Sequence, residues 1–499
     1  MAITNPGGNL NSVAASQRQT LASNYLDLAS TAGQGWAQQY VPDLMEKEAE
    51  VFGNRTISGF LSQVGAEESM TADQVVWSEQ SRLHLSYVGT LDVDGDTNGT
   101  FTVTTDIDGN APTDFTTQHG IRVNDMVLIA QAGVVVKALC TEAEVGTAVV
   151  TLEPYANDIL DDELADGTAT LLVIGSEFGK GQSYSDQTGT HSSERREALE
   201  PTFKSYSNKP IIMKDYYEIS GSDASQVGWV EVSGEMGQSG YLWYLKAAGD
   251  TRARFTDYLE MAMLEAEKTA ADSAIGFADK QIRGSADAGT NAGTEGLFAA
   301  IESRGNVTSG VTGVNAATDL AEFDAILAEF DNQGAIEENM MFVNRSTSLA
   351  MDDMLASMNS YGAGGTSYGV FDNSEDMALN LGFSGFRRGS YDFYKSDFRY
   401  LNDKATRGGI NSRATSAAIR GVIIPAGVSS VYDQALGRNM KRPFLHVRYR
   451  ASQTDDRRLK TWVTGSVGAA TSALDAMQIH YLSERCLVTQ GANNFMLMK

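Results

Sequence analysis

The 499-residue chain has little cysteine, little proline and little positive charge. Its two cysteines, Cys140 and Cys486, lie far apart in the sequence. They can build neither a disulfide framework nor a four-cysteine zinc site, and they are compatible with a reducing compartment. Against 64 acidic residues there are 38 lysines and arginines, which gives a formal charge of −26. This balance excludes a general nucleic-acid binder, because phosphate contacts need clustered cations.

Long hydrophobic runs are also missing. No run approaches the roughly 18 apolar residues that a membrane span requires, and the N-terminus has no basic start followed by an apolar core. We therefore expect an unsecreted protein that does not cross a membrane. Hydrophobic residues make up 42% and charged residues 20% of the chain, which predicts folded domains rather than disorder. The length predicts about three domains.

Metal and nucleotide sites have no support in the sequence. The histidines lack the H-x-x-H and H-E-x-x-H spacings that place two ligands on one metal ion, so each is expected to be structural. They are His84, His119, His191, His446 and His480. Neither a phosphate-binding G-x-x-x-x-G-K-[ST] loop nor a strand-linked G-x-G-x-x-G motif occurs. We predict that the protein has no cofactor and no metal site.

Two further motifs match only in part. Ser367 lies at the centre of a G-x-S-x-G pattern, which would make it a hydrolase nucleophile. The pattern follows SYGAG instead of the buried strand that a nucleophile elbow needs, so a glycine-rich loop is the preferred interpretation. A run of alternating acidic and amide residues imitates a calcium loop, but Thr97 stands where glycine is needed and Val103 where glutamate is needed. That run consists of Asp92, Asp94, Asp96 and Asn98.

A long helix is predicted from Asp250 to Arg283. Apolar residues recur there at spacings of three and four, as expected for one buried helical face. They are Phe255, Tyr258, Leu259, Ala262, Ala266, Ala270, Ala274 and Phe277. Its expected cover is a set of closing strands around residues 446–463 together with residues 475–488, which are interpreted both as an alternating strand and as a helix. The segment at 227–248 before it also shows a helical pattern.

A separate all-β domain is predicted at residues 85–177. Short β runs such as GTFTVTT, DMVLIA and GTATLLVIG are separated by Gly, Asp and Asn turns, which is typical of a small barrel or sandwich. The segment contains sixteen acidic residues but only Arg122 and Lys137 as basic ones. The sequence therefore predicts a solvent-facing module inserted between two halves of another domain.

A mixed α/β region is expected from about residue 301 to residue 438. ATDLAEFDAILAEFDNQG predicts an amphipathic helix, ENMMFV a buried strand, and NRSTSLAMDDMLASM a helix that Asn344 or Ser346 can cap. FSGFRRGSYDFYKS predicts a hairpin and AAIRGVIIPAG a second buried strand.

Positive charge is concentrated near the C-terminus, where residues 383–499 contain 18 basic and 8 acidic residues. These cations could pair with acids inside one fold, or dock acidic loops of neighbouring subunits through bidentate arginine contacts. Diffuse contact with packaged nucleic acid is a third alternative. The candidate intersubunit residues are Arg195, Arg196, Arg387, Arg388, Arg448, Arg450, Arg457, Arg458 and Lys460.

The order of parts resembles the major capsid protein of tailed bacteriophages, with its α+β Hong Kong 97-type capsid fold. The segments that carry the resemblance are YYEISGSDASQVGW, DYLEMAMLEAEKTA, TEGLFAAIESRGNV and AMQIHYLSERCLVTQGANNF. The resemblance implies the following division of the chain: an N-terminal arm at 1–75, an extended loop at 76–84 and 178–220, a peripheral domain at 221–300 and 439–499, and an axial domain at 301–438. Residues 85–177 lie outside the minimal fold.

The resemblance further implies a structural protein without enzymatic activity. Its copies would form the hexamers and pentamers of an icosahedral head that encloses double-stranded DNA without sequence specificity. Assembly would take place in the host cytoplasm, and the product would be the virion capsid. Portal, scaffold and decoration proteins are further partners that it suggests. The alternatives are a non-viral compartment or surface-array shell and, as a separate class, a serine hydrolase at Ser367.

Overall fold

A computed structural model describes most of the chain beyond residue 56. The described residues are 57, 59–64, 66–80, 86–93, 99–107, 109, 119–143, 148–156, 160–184, 203–225, 243–269, 293–360, 384–426, 428–433, 438–467 and 471–499, with short strands at 3–4, 11–12, 232–233 and 239–240. Several predictions fall outside these ranges, namely those on Ser367, Arg195, Arg196, most of the N-terminal arm and residues 270–283.

The strands are numbered here in chain order. They are β1 (Ile3–Thr4), β2 (Asn11–Ser12), β3 (Ala66–Met70), β4 (Val75–Gln80), β5 (Ser86–Val93), β6 (Gly99–Asp106), β7 (Asp125–Gln131), β8 (Val134–Ala143), β9 (Val149–Pro154), β10 (Gly167–Ser176), β11 (Phe203–Asn208), β12 (Ile211–Ser220), β13 (Val232–Ser233), β14 (Ser239–Gly240), β15 (Asn306–Thr308), β16 (Glu338–Val343), β17 (Ser384–Arg388), β18 (Tyr391–Asp397), β19 (Gly421–Pro425), β20 (Val428–Asp433), β21 (Arg438–Pro443), β22 (Leu445–Arg450), β23 (Lys460–Gly465), β24 (Ala476–Thr489) and β25 (Met496–Met498).

The helices are shorter and are numbered in the same way. They are α1 (Phe60–Val64), α2 (Gly221–Ala224), α3 (Trp243–Glu265), α4 (Leu297–Arg304), α5 (Ala316–Gln333), α6 (Arg345–Ser360), α7 (Arg399–Asn402) and α8 (Arg407–Asn411). Single 3₁₀ turns occur at Leu160–Asp162, Thr415–Ala417 and Ala492–Asn494. None of the helices within the described ranges has the length and apolar character needed to cross a membrane.

The chain forms two compact units, of which the smaller is Ser78–Ser205. Its strands close into a barrel in the order β10-β5-β6-β9-β8-β7, so the barrel alternative holds over the sandwich. Inward residues alternate with outward ones, as the sequence pattern predicts. Phe101, Leu152 and Leu171 are fully buried inside. The barrel therefore has a core of its own.

The larger unit consists of Met1–Trp77 and Tyr206–Lys499. One of its sheets has the order β12-β24-β22-β3, and β23 also pairs with β24. Residues from three distant parts of the sequence therefore meet in one sheet. The prediction of a helix at residues 475–488 is wrong, because β24 is a 14-residue strand there. Most of its C-terminal half is buried on both faces, which removes the alternation that identifies a strand in the sequence.

Helix α3 also differs from its prediction. It begins at Trp243 and ends at Glu265, and residues 266–269 are not helical, so the helix does not run from 250 to 283 as a single element. The expected helical pattern at 227–248 is replaced in part by β13 and β14, which pair with each other. Phe255 and Leu259 are buried against Tyr481 of β24, as predicted for the apolar stripe. Tyr258 is 45% exposed and does not belong to the buried face.

A second sheet has the order β15-β25-β19-β16-β18-β17. The predicted succession of strand, cap and helix is confirmed at β16 and α6, where the Asn344 side chain accepts a hydrogen bond from Thr347 N at 2.8 Å. The last strand, β25, lies between β15 and β19, so this sheet also includes residues from beyond 438. A buried cluster contains Met263 of α3, Val422 of β19 and Leu487 of β24, and it joins the two sheets through one core.

Candidate assembly surface

Two carboxylates of α3 bind the backbone of residues 57–61. Asp257 Oδ1 accepts a hydrogen bond from Ile57 N at 2.9 Å, and the two Glu260 oxygens accept from Gly59 N and Leu61 N, each at 3.3 Å. Burial raises the pKa of Glu260, and the backbone N–H groups lower it again in part. Phe60 packs between the rings of Phe342 and Phe398, with both centroids 4.6 Å away. Residues 57–61 are therefore fixed to the core.

The C-terminal end of α3 is fixed as well. Glu265 accepts a hydrogen bond from the Tyr400 hydroxyl at 2.8 Å and forms an ion pair with Arg407, also at 2.8 Å. Burial, followed by the charge of Glu265, raises the pKa of Tyr400. The helix is thus bonded to residues 57–61 along one side and to α7 and α8 at its end.

An ion-pair network connects β3, β22 and β24. Arg448 Nη2 lies 2.8 Å from Glu68, and Arg450 pairs with Asp73 and also with Glu484 at 3.4 Å. Arg457 Nε lies 2.9 Å from the same Glu484, which is buried.

Glu67 of β3 forms ion pairs with two more arginines of the same sheet region. It pairs with Arg458, and its Oε1 lies 3.7 Å from Arg485 Nη1. The arginines proposed as intersubunit contacts in this sheet therefore have acidic partners in their own chain, as the intramolecular alternative expects.

The remaining described candidates also have acidic partners. Arg388 Nε and Nη2 bind Asp324 of α5 at 2.6 and 2.8 Å, which is a bidentate contact between β17 and α5. Arg387 lies 3.6 Å from Asp392 across the β17–β18 hairpin, and Lys460 lies 2.6 Å from Asp455. Arg387 is 63% exposed and Arg458 56%, so both still present cationic surface.

Sequence reasoning missed the acidic half of the network. Glu67 and Glu68 stand side by side in β3, and their partners are nearly 400 residues away in the sequence. The EE pair in a short alternating segment is the only signal. The structure also reveals Asn208, which is buried: its Nδ2 donates to Leu487 O at 2.6 Å and to Glu295 O at 3.0 Å.

Arg304 was likewise not predicted. Its guanidinium lies over the ring of Tyr206, 4.5 Å from the centroid, and near Trp77 at 5.6 Å, while Nη2 binds Glu295 at 2.7 Å. Cation–π contact and ion pair together hold Trp77 and Tyr206 against α4.

The sheet of β12, β24, β22, β3 and β23 is called the closing sheet. A row of aromatic side chains crosses it on the face opposite α3. His480 of β24 stacks on Trp462 of β23, with centroids 5.1 Å apart, and on Tyr216 of β12 at 6.0 Å. The Thr464 hydroxyl lies 2.7 Å from His480 Nε2. Tyr216 is 56% exposed. The predicted structural role of His480 is therefore supported.

Clusters of potential metal ligands are not found in the described ranges. No group of three or more His, Cys, Asp or Glu side chains there could hold a metal ion. A cavity of about 50 Å³ is lined by Gln74, Ser207, Asn208, Lys209, Lys268 and Gly293. That space holds little more than a water molecule, and the Asn208 amide within it is already hydrogen-bonded to protein.

Comparisons with known proteins give structural matches only. No protein family and no curated protein matches the sequence. A structure from Mycobacterium phage Ogopogo has 10% identity and a TM-score of 0.39, with 93% of this chain and 97% of that chain covered. "Capsid of native GTA particle computed with C5 symmetry" has 12% identity and a TM-score of 0.36, at 95% and 98% coverage.

A structure from Microbacterium phage Oxtober96 has 9% identity and a TM-score of 0.36, at 93% and 97% coverage. The matched structures come from phages and from a capsid. All three TM-scores lie below 0.5. The chain itself is a mixed α+β protein, and its function has to be argued from its own geometry.

Proposed function

We propose that the protein is the subunit of an icosahedral phage head, a structural protein that assembles as hexamers and pentamers around double-stranded DNA. The observation that carries the proposal is the way α3 organises the larger unit. One long helix lies on a sheet built from β3, β12, β22 and β24, holds the end of an arm at Ile57–Leu61, and shares a core with a second sheet. This geometry supports, as part of the proposal, the arm, the peripheral domain with its spine helix and the axial domain that the sequence resemblance implies.

The arm supports the same proposal. The Asp257 and Glu260 contacts fix residues 57–61, and the sequence has 56 further residues on the N-terminal side of this point. Such a segment is suited to contact a neighbouring subunit, and repetition of modest contacts around closed symmetry makes a shell stable. Portal, scaffold and decoration proteins are additional partners within this proposal, and DNA contacts are diffuse.

The exposed cations give a second line of support. Arg387 and Arg458 each bind one acid in their own chain and remain more than half exposed. Such residues can form a further contact with an acidic loop of a neighbour, whereas Arg448, with 16% of its side chain exposed, serves the fold.

The test is electron microscopy of the full-length chain in negative stain, with light scattering across a concentration series. Closed shells or capsomers are expected. A compact monomer that persists at high concentration, with or without co-expressed scaffold, contradicts the proposal.

A charge reversal tests the exposed cations. Arg387→Glu is expected to raise the concentration needed for assembly while leaving the thermal unfolding temperature unchanged. Arg345→Glu is the matched control, because Arg345 is 64% exposed and pairs with Asp397 but lies outside the candidate set. If both variants change the concentration needed for assembly equally, Arg387 makes no specific subunit contact.

A further inference from the structure

The two halves of the barrel wall differ in the side chains that they present outward. On β5, β6 and β9 the outward positions are mostly threonine or acid, as at Thr90, Asp92, Thr102, Thr104 and Glu153. This is the composition expected of a strand face in water. These three strands therefore present a polar surface to water.

On β10, β7 and β8 several neighbouring outward positions are aliphatic, although Thr168, Thr170 and Ser176 of β10 also point outward. The strands are neighbours in the order β10-β7-β8, and the register places Leu172 beside Leu128, and Met126 beside Leu139. The face consists of Met126, Leu128, Val135, Leu139, Leu172 and Ile174. Val135 is 61% exposed, Ile174 49% and Leu172 36%. A contiguous apolar face on an otherwise acidic module is typical of a surface that another protein covers.

The charges around this face indicate what covers it. Lys137 lies within the face, beside Leu128, and its side chain is exposed. Among the described residues of Ser86–Ser176 the only other cation is Arg122, which binds the carbonyls of His119 and Ile121. Acidic residues border the face at Glu153 on β9 and Glu177 after β10, and both are exposed. A two-fold contact between identical faces brings each Lys137 to the acidic border of the other copy.

We propose that this apolar face binds the same face of a second copy of the chain. The contact is isologous, with the aliphatic side chains at its centre and Lys137 paired with Glu153 or Glu177 across the two-fold axis. The inference rests on the proposed function, which supplies many identical subunits at high local concentration. It adds a contact made by the barrel to those made by the larger unit.

Cysteine crosslinking tests the contact in the full-length chain. Both native cysteines are buried, so an introduced cysteine on the barrel surface is the reactive thiol among the described residues. Val135→Cys treated with a short bismaleimide in assembled particles is expected to yield covalent dimers. Thr102→Cys, exposed on the threonine-rich half of the same barrel, is the matched control and is expected to stay monomeric. Dimers from both variants, or from neither, overturn the proposal.

Labelling distinguishes the other occupants. Val135→Cys is expected to react freely with a fluorescent maleimide in dilute monomer and slowly in assembled particles. Slow reaction in the monomer means that the chain covers its own face, and fast reaction in assembled particles means that a different protein is the occupant. Either result overturns the two-fold contact.

Val135→Glu is expected to raise the concentration needed for assembly by about tenfold, because it places uncompensated charge in an apolar contact. Thr102→Glu should have no effect, and both variants should keep the unfolding temperature of the parent barrel. Assembly of Val135→Glu at the parent concentration refutes the contact. Failure of the parent chain to assemble at all instead refutes the proposed shell function, and crosslinking of dimers in solution then still tests the barrel face.

Discussion

The barrel and the closing sheet are both antiparallel in large part, yet they are built in opposite ways. The barrel comes from one continuous stretch, has an apolar interior and contains two cations between residues 85 and 177. The closing sheet takes strands from residues 66–70, 211–220 and 445–489, and arginine–carboxylate pairs connect them. Local alternation of apolar and polar residues suffices to specify the barrel. The closing sheet instead needs strands that are hundreds of residues apart in the sequence to pair.

The sharpest test of this difference is a cavity in the barrel. Phe101→Ala removes a fully buried ring and should destabilise the barrel by about 3–5 kcal/mol. If the barrel has an independent core, calorimetry of the full-length chain will show one transition lowered and the transition of the larger unit unchanged. An equal shift of both unfolding transitions would mean that the two units unfold cooperatively as one.

The next largest effect concerns the buried carboxylate of the closing sheet. Glu484→Gln leaves Arg450 and Arg457 without their shared anion, and we expect a loss of about 1.5–3 kcal/mol in the larger unit, typical of hydrogen bonds to charged groups. Denaturant unfolding measures it. The control is Lys460→Ala, whose pair with Asp455 is exposed on both sides and should contribute less than about 1 kcal/mol.

A smaller effect is expected at Arg304. Arg304→Lys keeps the charge but loses the planar group that stacks on Tyr206, which should lower stability by about 0.5–1 kcal/mol. Loss of protection at the amides of residues 74–77 and 206–208 in hydrogen exchange, with β12 and β24 unaffected, is the expected pattern. An equal loss of amide protection across the closing sheet would mean that Arg304 stabilises the whole sheet and not only the region around Trp77 and Tyr206.

The smallest effect is a pH dependence at Glu260. Its pKa is raised in the folded state by burial, so the native protein binds this proton more tightly than the unfolded chain does. The free energy of unfolding should therefore fall as pH rises from about 4.5 through the folded-state pKa of Glu260. Glu260→Gln should flatten the profile in that window, while Glu267→Gln, at an exposed position, should leave it unchanged. Identical profiles for all three proteins contradict the assignment.

Patterns that depend on neighbouring residues were predicted well. The β runs of the barrel, the strand Glu338–Val343, its Asn344 cap and the helix at Ala316–Gln333 all lie where alternation, capping and amphipathic spacing predict them. Each of these signals arises within one turn or one strand. The long helix was predicted in type but not in extent, because its alanine-rich continuation has the right spacing and good propensity.

One long element buried on both faces was not predicted uniquely. Residues 475–488 were predicted both as a strand and as a helix, because the segment packs against α3 on one side and the common core on the other and its C-terminal half lacks clear alternation. The acidic partners of Arg448, Arg450 and Arg457 also could not be identified, since an ion pair depends on distance in space and leaves no pattern along the chain.

The sequence by itself determined the charge distribution, the independent β module, the absence of cysteine and histidine site patterns, and a resemblance in the order of parts. These depend on composition and on spacings of two to four residues. The tertiary structure alone decided that β3 joins β22, that Glu67 and Glu484 neutralise C-terminal arginines, and that aliphatic side chains of β10, β7 and β8 meet on the outside of the barrel wall. Pairing between distant strands fixes these features, because it sets which side chains meet and which remain in water.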